Sequence, residues 1–313
     1  MPQDDTKKLL KILATPEGRL AAGQILGLQI SSPTNKLLGL PEVAVLVPCY
    51  DHPDPMMTNS YNDLLAYTRK AEAASLFAGP MVRSMSVIHM ARNRLLQALI
   101  QTQKSWTHVL FWDDDIVPPP DALVKLLSHQ KEIIVGLCTC RTDPPVPNIR
   151  YWRHDLNLYE EIIAWDDGLV EIGAGGTGFM LITRAALMAV AEAYFDCRVE
   201  KDIYQMPDAL AKELGAKRKD YFDKNGICSW FRFLPYVEGI GEMGEDVSFC
   251  HVARHYCGIK VYCDTTVQPD HVGKYEFGIK DFIPHRDAWI QEAKDKNLFV
   301  AKVEEPPRIL VAQ

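Results

Sequence analysis

The 313-residue chain lacks several features that would place it quickly. It has no C-x-x-C pair among its eight cysteines, which excludes a thioredoxin-like redox site and the common zinc ribbons. Several of the cysteines sit inside apolar runs and read as reduced core residues of a cytoplasmic protein. Cys250, His251, His255 and Cys257 lie close together, but their spacing fits no closed zinc pattern. No apolar run approaches the ~20 residues that span a bilayer, and Asp4 and Asp5 make the N-terminus unlike a signal peptide. There is no excess of positive charge either. Lys plus Arg number 34 against 41 Asp plus Glu, a net charge of -7. The chain therefore has no overall field for avid nucleic-acid binding, although a local basic groove is compatible with it.

What is present is organised around His108–Pro120. The run Val109–Trp112 reads as a buried strand that stops in Asp113, Asp114 and Asp115. Three adjacent carboxylates repel one another unless a cation or donor groups offset them. On extended backbone, Asp113 and Asp115 face the same side, and their oxygens suit a hard cation, Mg²⁺ or Mn²⁺. The alternative is an acidic turn whose Asp residues merely cap, with Asp121 capping a helix over 122–127.

Other strands carry their own loops. Val43–Val47 is a continuous apolar run ending in Pro48-Cys49-Tyr50-Asp51, a nucleotide platform if it lies at the carboxyl end of a parallel strand. Residues 61–78 and 88–100 read as helices, with a strand over 82–86 between them. The second helix carries Arg92, positioned either to bridge a diphosphate or to order an acidic cluster. Ile133–Leu137 and Ile259–Cys263 are further strands. Asp167-Gly168 between 159–163 and 169–172 signals a hairpin. Gly173, Gly175, Gly176 and Gly178 precede a strand, so they are neither a Rossmann fingerprint nor a P-loop; they mark a close backbone approach or a bent strand. Residues 197–235 form a charged and aromatic stretch with Lys217, Arg218, Lys219, Tyr221, Trp230, Phe231 and Phe233, either a lid or acceptor-binding insertion or a decorated surface loop. Glu245 and Asp246 open a helix, either as capping carboxylates or as a general base.

Taken together, Pro48-x-Tyr50, Asp113-x-Asp115, Glu245-Asp246 and His271-x-Gly273 occur in an order that resembles the GT-A fold nucleotide-sugar glycosyltransferases, especially family 2-like enzymes. The resemblance spans roughly residues 41–280. It implies a Rossmann-like α/β domain over 41–283, with a mixed, mostly parallel sheet flanked by helices. A helical extension over 1–40 precedes it and an arm over 284–313 follows. It implies that Pro48, Tyr50, Arg92, Asp113, Gly175 and Gly176 face a nucleoside diphosphate sugar. Asp113, Asp115 and His271 would hold Mn²⁺ or Mg²⁺, and Asp246, or else Glu245, would deprotonate a hydroxyl acceptor. The expected acceptor is a carbohydrate or small hydroxylated molecule, ahead of a nucleic acid. The rival expectations are a nucleotidyltransferase, for which the first loop offers no basic phosphate-binding residue, and a catalytically inactive nucleotide-sugar binder.

Overall fold

The computed structural model describes residues 40–49, 53–76, 81–102, 105–142, 145–236 and 241–272, with scattered positions between 279 and 300. The expected extension over 1–40 (save Leu40), Tyr50, Gly273 and nearly all of the expected arm over 284–313 lie outside the described residues.

The first half of the fold alternates strands and helices. It runs β1 (Glu42–Cys49), α1 (Pro55–Lys70), β2 (Ser75–Leu76), β3 (Met81–Ser84), α2 (Ile88–Thr102), β4 (His108–Trp112), β5 (Ile116–Val117), α3 (Ala122–Ser128) and β6 (Ile133–Gly136). Then come β7 (Ile149–Arg153), β8 (Leu158–Glu161), β9 (Ala164–Trp165), β10 (Leu169–Ile172), β11 (Ala174–Gly175) and β12 (Phe179–Thr183). Three helices follow: α4 (Arg184–Phe195), α5 (Arg198–Ile203) and α6 (Asp208–Asn225). The last described elements used below are β13 (Leu234–Pro235), β14 (Glu242–Met243), α7 (Glu245–Cys257), β15 (Val261–Asp264) and β16 (Asp270–His271).

The central sheet has 8 strands in the order β10-β15-β6-β12-β4-β1-β2, with β3 also paired to β1. β10 and β12 run against the direction shared by the other strands. The protein is thus mixed α/β with a mostly parallel sheet, as its strand–helix alternation predicts. Alternate residues of each central strand serve opposite faces. In β4, Val109 and Phe111 join α2, α4 and α7 on one side, while Leu110 and Trp112 join α1 and α3 on the other. Burial on both faces explains why these strands read as unbroken apolar runs.

Several expectations need correction. The helix expected over 61–78 is α1, which starts earlier because Asp54 caps it: its carboxylate accepts from the Met56 N–H at 2.7 Å, and Pro55 occupies the first turn. Asp121 does not cap α3 through its side chain; it pairs with Lys125 at 2.9 Å. The Asp167-Gly168 hairpin does not form. β8 pairs instead with β7, and β10 pairs with β15. The turn is held by tertiary contacts: Gly168 donates its N–H to the Thr265 hydroxyl at 2.7 Å, and its carbonyl accepts the Thr265 N–H at 2.9 Å. The 197–235 stretch is not an irregular connection but contains α5 and α6. None of the eight cysteines forms a disulfide, and six are buried. His251 and His255 lie in an aromatic cluster with Trp152 rather than in a zinc site.

That cluster makes the fold acid-sensitive. The Tyr159 hydroxyl lies 3.2 Å from His251 Nδ1, and His251 is buried. Burial first, then the neighbouring His255, push its pKa down to about 3. An unfolded His titrates near ~6.5, so on acidification the unfolded chain takes the proton first. Stability is full above about pH 6.5 and falls as the pH drops towards 3, at up to about 1.4 kcal/mol per pH unit for this proton. Denaturant midpoints measured between about pH 6.5 and 4 should therefore fall less steeply in His251→Gln than in wild type. Parallel slopes would remove His251 as a source of the acid sensitivity.

Candidate active site

The chemistry-bearing side chains gather beyond the carboxyl ends of β1 and β4, around one buried guanidinium. Arg92 lies in the second turn of α2 and is 3% exposed. Its Nη2 donates to both carboxylate oxygens of Asp113 at 3.0 Å, and its Nη1 donates to Glu245 Oε1 at 2.9 Å. Glu245 is 153 residues away in the chain. Of the two roles open to Arg92, ordering an acidic cluster is the one the geometry displays. Burial opposes its charge, but Asp113, Glu245 and Asp246 outweigh burial and raise its pKa further. Its guanidinium also sits 5.9 Å from the centroid of the Phe231 ring. Asn93 clamps that residue from the next position along α2, donating to the Phe231 carbonyl at 2.7 Å and accepting its N–H at 3.0 Å.

Asp113 and Asp115 are not on extended backbone. The strand ends at Trp112, and the Ile116 N–H donates to the Asp113 carbonyl at 3.2 Å across a turn. The two carboxylates consequently meet different cations. Asp115 is paired with Arg141 and has Oδ1 3.3 Å from His271 Nε2. β16 brings His271 there by pairing antiparallel with β5, and the Val272 N–H donates to the Asp115 carbonyl at 2.7 Å. His271 Nδ1 lies 2.9 Å from the Thr139 carbonyl, which can only accept, so Nδ1 carries the proton and Nε2 is turned to the carboxylate. Burial raises the Asp115 pKa, but His271 and Arg141 outweigh it and hold it below the ordinary value.

An imidazole with its far nitrogen anchored on a carbonyl and its near nitrogen beside a carboxylate is a fitting pair of cation ligands. Asp115 and His271 meet that description. Asp113 has both oxygens on Arg92 instead, and no group of three or more His, Cys, Asp or Glu suited to a metal occurs among the described residues.

Asp246 is half-buried beside Glu245 at the start of α7. Its Oδ1 accepts the Val247 N–H at 2.7 Å. Burial, then the charge of Glu245, raise its pKa against the opposing pull of Arg92. Gly244 and Val247, on either side of this pair, line an open polar cleft of 700 Å³ together with Arg150, Glu160, Glu161 and Glu242.

The glycine segment serves packing first. A Cβ on Gly175 would come within 2.9 Å of the Val135 side chain, and one on Gly173 within 2.7 Å of the Trp152 backbone nitrogen. At Gly176 the space is filled by Asn148. Gly178 touches the site directly: its carbonyl accepts the Asp113 N–H at 2.9 Å.

Pro48 closes β1 beside Arg83 in β3. Of the expected acceptor stretch, only Phe231 reaches this cluster. Trp230 and Phe231 are fully buried core residues rather than stacking platforms, because α6 and the segment after it cover the face formed by α4. Lys217 and Arg218 line a separate cavity against α4, while Lys219 pairs with Asp223 at 2.6 Å. Arg141 and Arg150 carry no motif that marks them in the sequence. Their proximity to the acidic residues arises only on folding.

Arg92 is buried and Asp113 and Glu245 are half-buried around it, so leaving them without its charge should be costly. Arg92→Leu is expected to lower unfolding stability by about 3–5 kcal/mol, as when one member of a buried ion pair is removed, and Arg92→Lys by less. Urea denaturation measures this, and a loss below about 1 kcal/mol for Arg92→Leu would show that water supports the carboxylates instead.

No protein-family model matches the chain, and no curated protein matches it. Among solved structures, the A197 protein from STIV aligns at 12% identity with a TM-score of 0.36, covering 88% of this chain and 100% of its own. A glycosyltransferase involved in the glycosylation of the major capsid of PBCV-1 aligns at 12% identity with a TM-score of 0.25, covering 59% of this chain and 76% of its own.

Proposed function

We propose that the protein is a glycosyltransferase that moves a sugar from a nucleoside diphosphate sugar to a hydroxyl acceptor, with inversion. The observation that carries this reading is the bridge Asp113–Arg92–Glu245, with Asp115 and His271 beside it. It joins the strand-end acidic turn to the carboxylate pair that opens α7, so that a donor-side group and a candidate base share one cluster. In this reading Pro48 belongs to the nucleotide side of the site, and Gly178, whose carbonyl accepts the Asp113 N–H, flanks the acidic turn.

Asp115 and His271 are the residues that would hold Mn²⁺ or Mg²⁺, with donor oxygens and water in the remaining positions. Such a cation supplies Lewis acidity towards the leaving diphosphate. Asp246 takes the proton of the acceptor hydroxyl as that oxygen attacks the anomeric carbon. Its raised pKa makes it a better base than an ordinary aspartate. Glu245 is committed to Arg92 and acts by positioning. The acceptor enters through the cleft at Gly244 and Val247. Its lining includes Glu160, which also pairs with Arg153, together with Glu161, Glu242 and the cation Arg150. Carboxylates accept hydrogen bonds from hydroxyls and repel phosphates, which favours a carbohydrate acceptor over a nucleic acid.

One observation favours a second reading, an inactive nucleotide-sugar binder: Arg92 and Arg141 already neutralise Asp113 and Asp115. Hydrolysis of a nucleotide-sugar panel with Mn²⁺ separates the two. In the transferase, Asp246→Asn should keep donor affinity near wild type and lower transfer by roughly 10²–10⁴-fold. Near-normal turnover would remove Asp246 from the mechanism. Donor binding followed by calorimetry should strengthen with Mn²⁺ and weaken in Asp115→Ala. Tight binding indifferent to EDTA and to Asp115→Ala would leave the transfer reading in place but eliminate the cation.

A further inference from the structure

A second charged cavity lies away from this site, between α4 and α6. It has a volume of 400 Å³, within the range of small-molecule sites, and is walled by Tyr194, Phe195 and Tyr221 with Lys217, Arg218 and Arg232. Its lining residues include none of the side chains of the acidic cluster.

The charges around the cavity do not balance. Arg218 and Arg232 donate to the same oxygen of Glu200, at 2.7 and 2.9 Å. Glu200 is 4% exposed and does not line the cavity. Two guanidinium groups therefore share one carboxylate, leaving a net positive charge at the wall. Lys217, paired with Glu213 at 2.6 Å, adds a cation at the exposed rim. Arg232 lies over the Tyr194 ring at 3.8 Å from its centroid, so the hydroxyl stands close without the alignment of a hydrogen bond. Arg232 Nε and Nη2 and the Tyr194 hydroxyl are all buried without hydrogen-bond partners. These atoms lie just behind the cavity wall, where Arg232 and Tyr194 face each other without a well-aligned bond, a cost in a folded protein.

We propose that this cavity is a second binding site, for a small oxyanion (phosphate or carboxylate) carried on a flat apolar body. The oxyanion sits against the cationic wall formed by Lys217, Arg218 and Arg232, and offsets the surplus charge. The flat body lies between Tyr221 and Phe195. Guanidinium donors suit both oxyanions, because their fork matches planar carboxylate and phosphate edges. This proposal is independent of the glycosyltransferase reading.

Calorimetry on the full chain with phenyl phosphate, benzoate and inorganic phosphate tests it. Phenyl phosphate or benzoate should bind saturably at one site, and whichever binds tighter identifies the oxyanion. Inorganic phosphate, which leaves the aromatic walls unused, should bind at least about tenfold more weakly than phenyl phosphate. Lys217→Glu should weaken the better probe by about fivefold or more, and Arg232→Gln should abolish its binding. Arg141→Gln, at the acidic cluster, should leave it unchanged. Should Arg232→Gln fail to fold by circular dichroism, Lys217→Glu and Tyr221→Ala, both at exposed side chains, decide instead. Absence of saturable heat with either aromatic probe, or binding indifferent to the α6 and Arg232 substitutions, overturns the proposal.

Discussion

Arg92 ties together three elements that have no covalent reason to meet. Its guanidinium joins α2 to the turn after β4 and to the first residue of α7. A buried cation demands carboxylate partners, and buried carboxylates demand a cation. The requirement is mutual, so the relative positions of helix, turn and helix are fixed together. Phe231 and Asn93 complete the clamp, since the ring lies beside the guanidinium while the amide holds the Phe231 backbone on both sides.

From that clamp follows the character of the acidic turn. Asp113 is saturated from within the protein, and its neighbour Asp115 is left to Arg141 and His271. The split is enforced by backbone geometry, because the chain turns at 113–116 instead of continuing as a strand. A turn of this kind directs one carboxylate to Arg92 and the other to an imidazole whose tautomer is set by the Thr139 carbonyl.

The insertion between α4 and β13 is built by a different rule. Its helices bury Trp230, Phe231 and Phe222 against α4 and α7, so the aromatic residues serve the core. Its cations divide between internal ion pairs and the cavity wall at Arg218 and Arg232. Charge that looks like one basic patch along the chain is thereby distributed over separate surfaces of a helix.

The strands were legible in the sequence because burial on both faces leaves unbroken apolar runs at 43–47, 109–112 and 133–137, and this pattern is local. The helix at 245 and the helix carrying Arg92 were legible for the same reason, from their own periodicity. The Asp167-Gly168 turn misled because a turn signal specifies a bend but not the partner of the strand that follows; β10 found β15 because Thr265 holds Gly168 from the far end of the domain. The acidic residues at 113–115 and 245–246 stood out in the sequence, whereas which cation each of them meets did not follow from spacing. That division depends on Arg92, Arg141 and His271, whose approach to the carboxylates is decided by sheet order and by the β5–β16 pairing. Chain-local patterns thus determined which segments are strands, helices and acidic turns. Only the tertiary structure decided which charge meets which, because such pairs form between residues brought together by packing over separations as long as the 156 positions from Asp115 to His271.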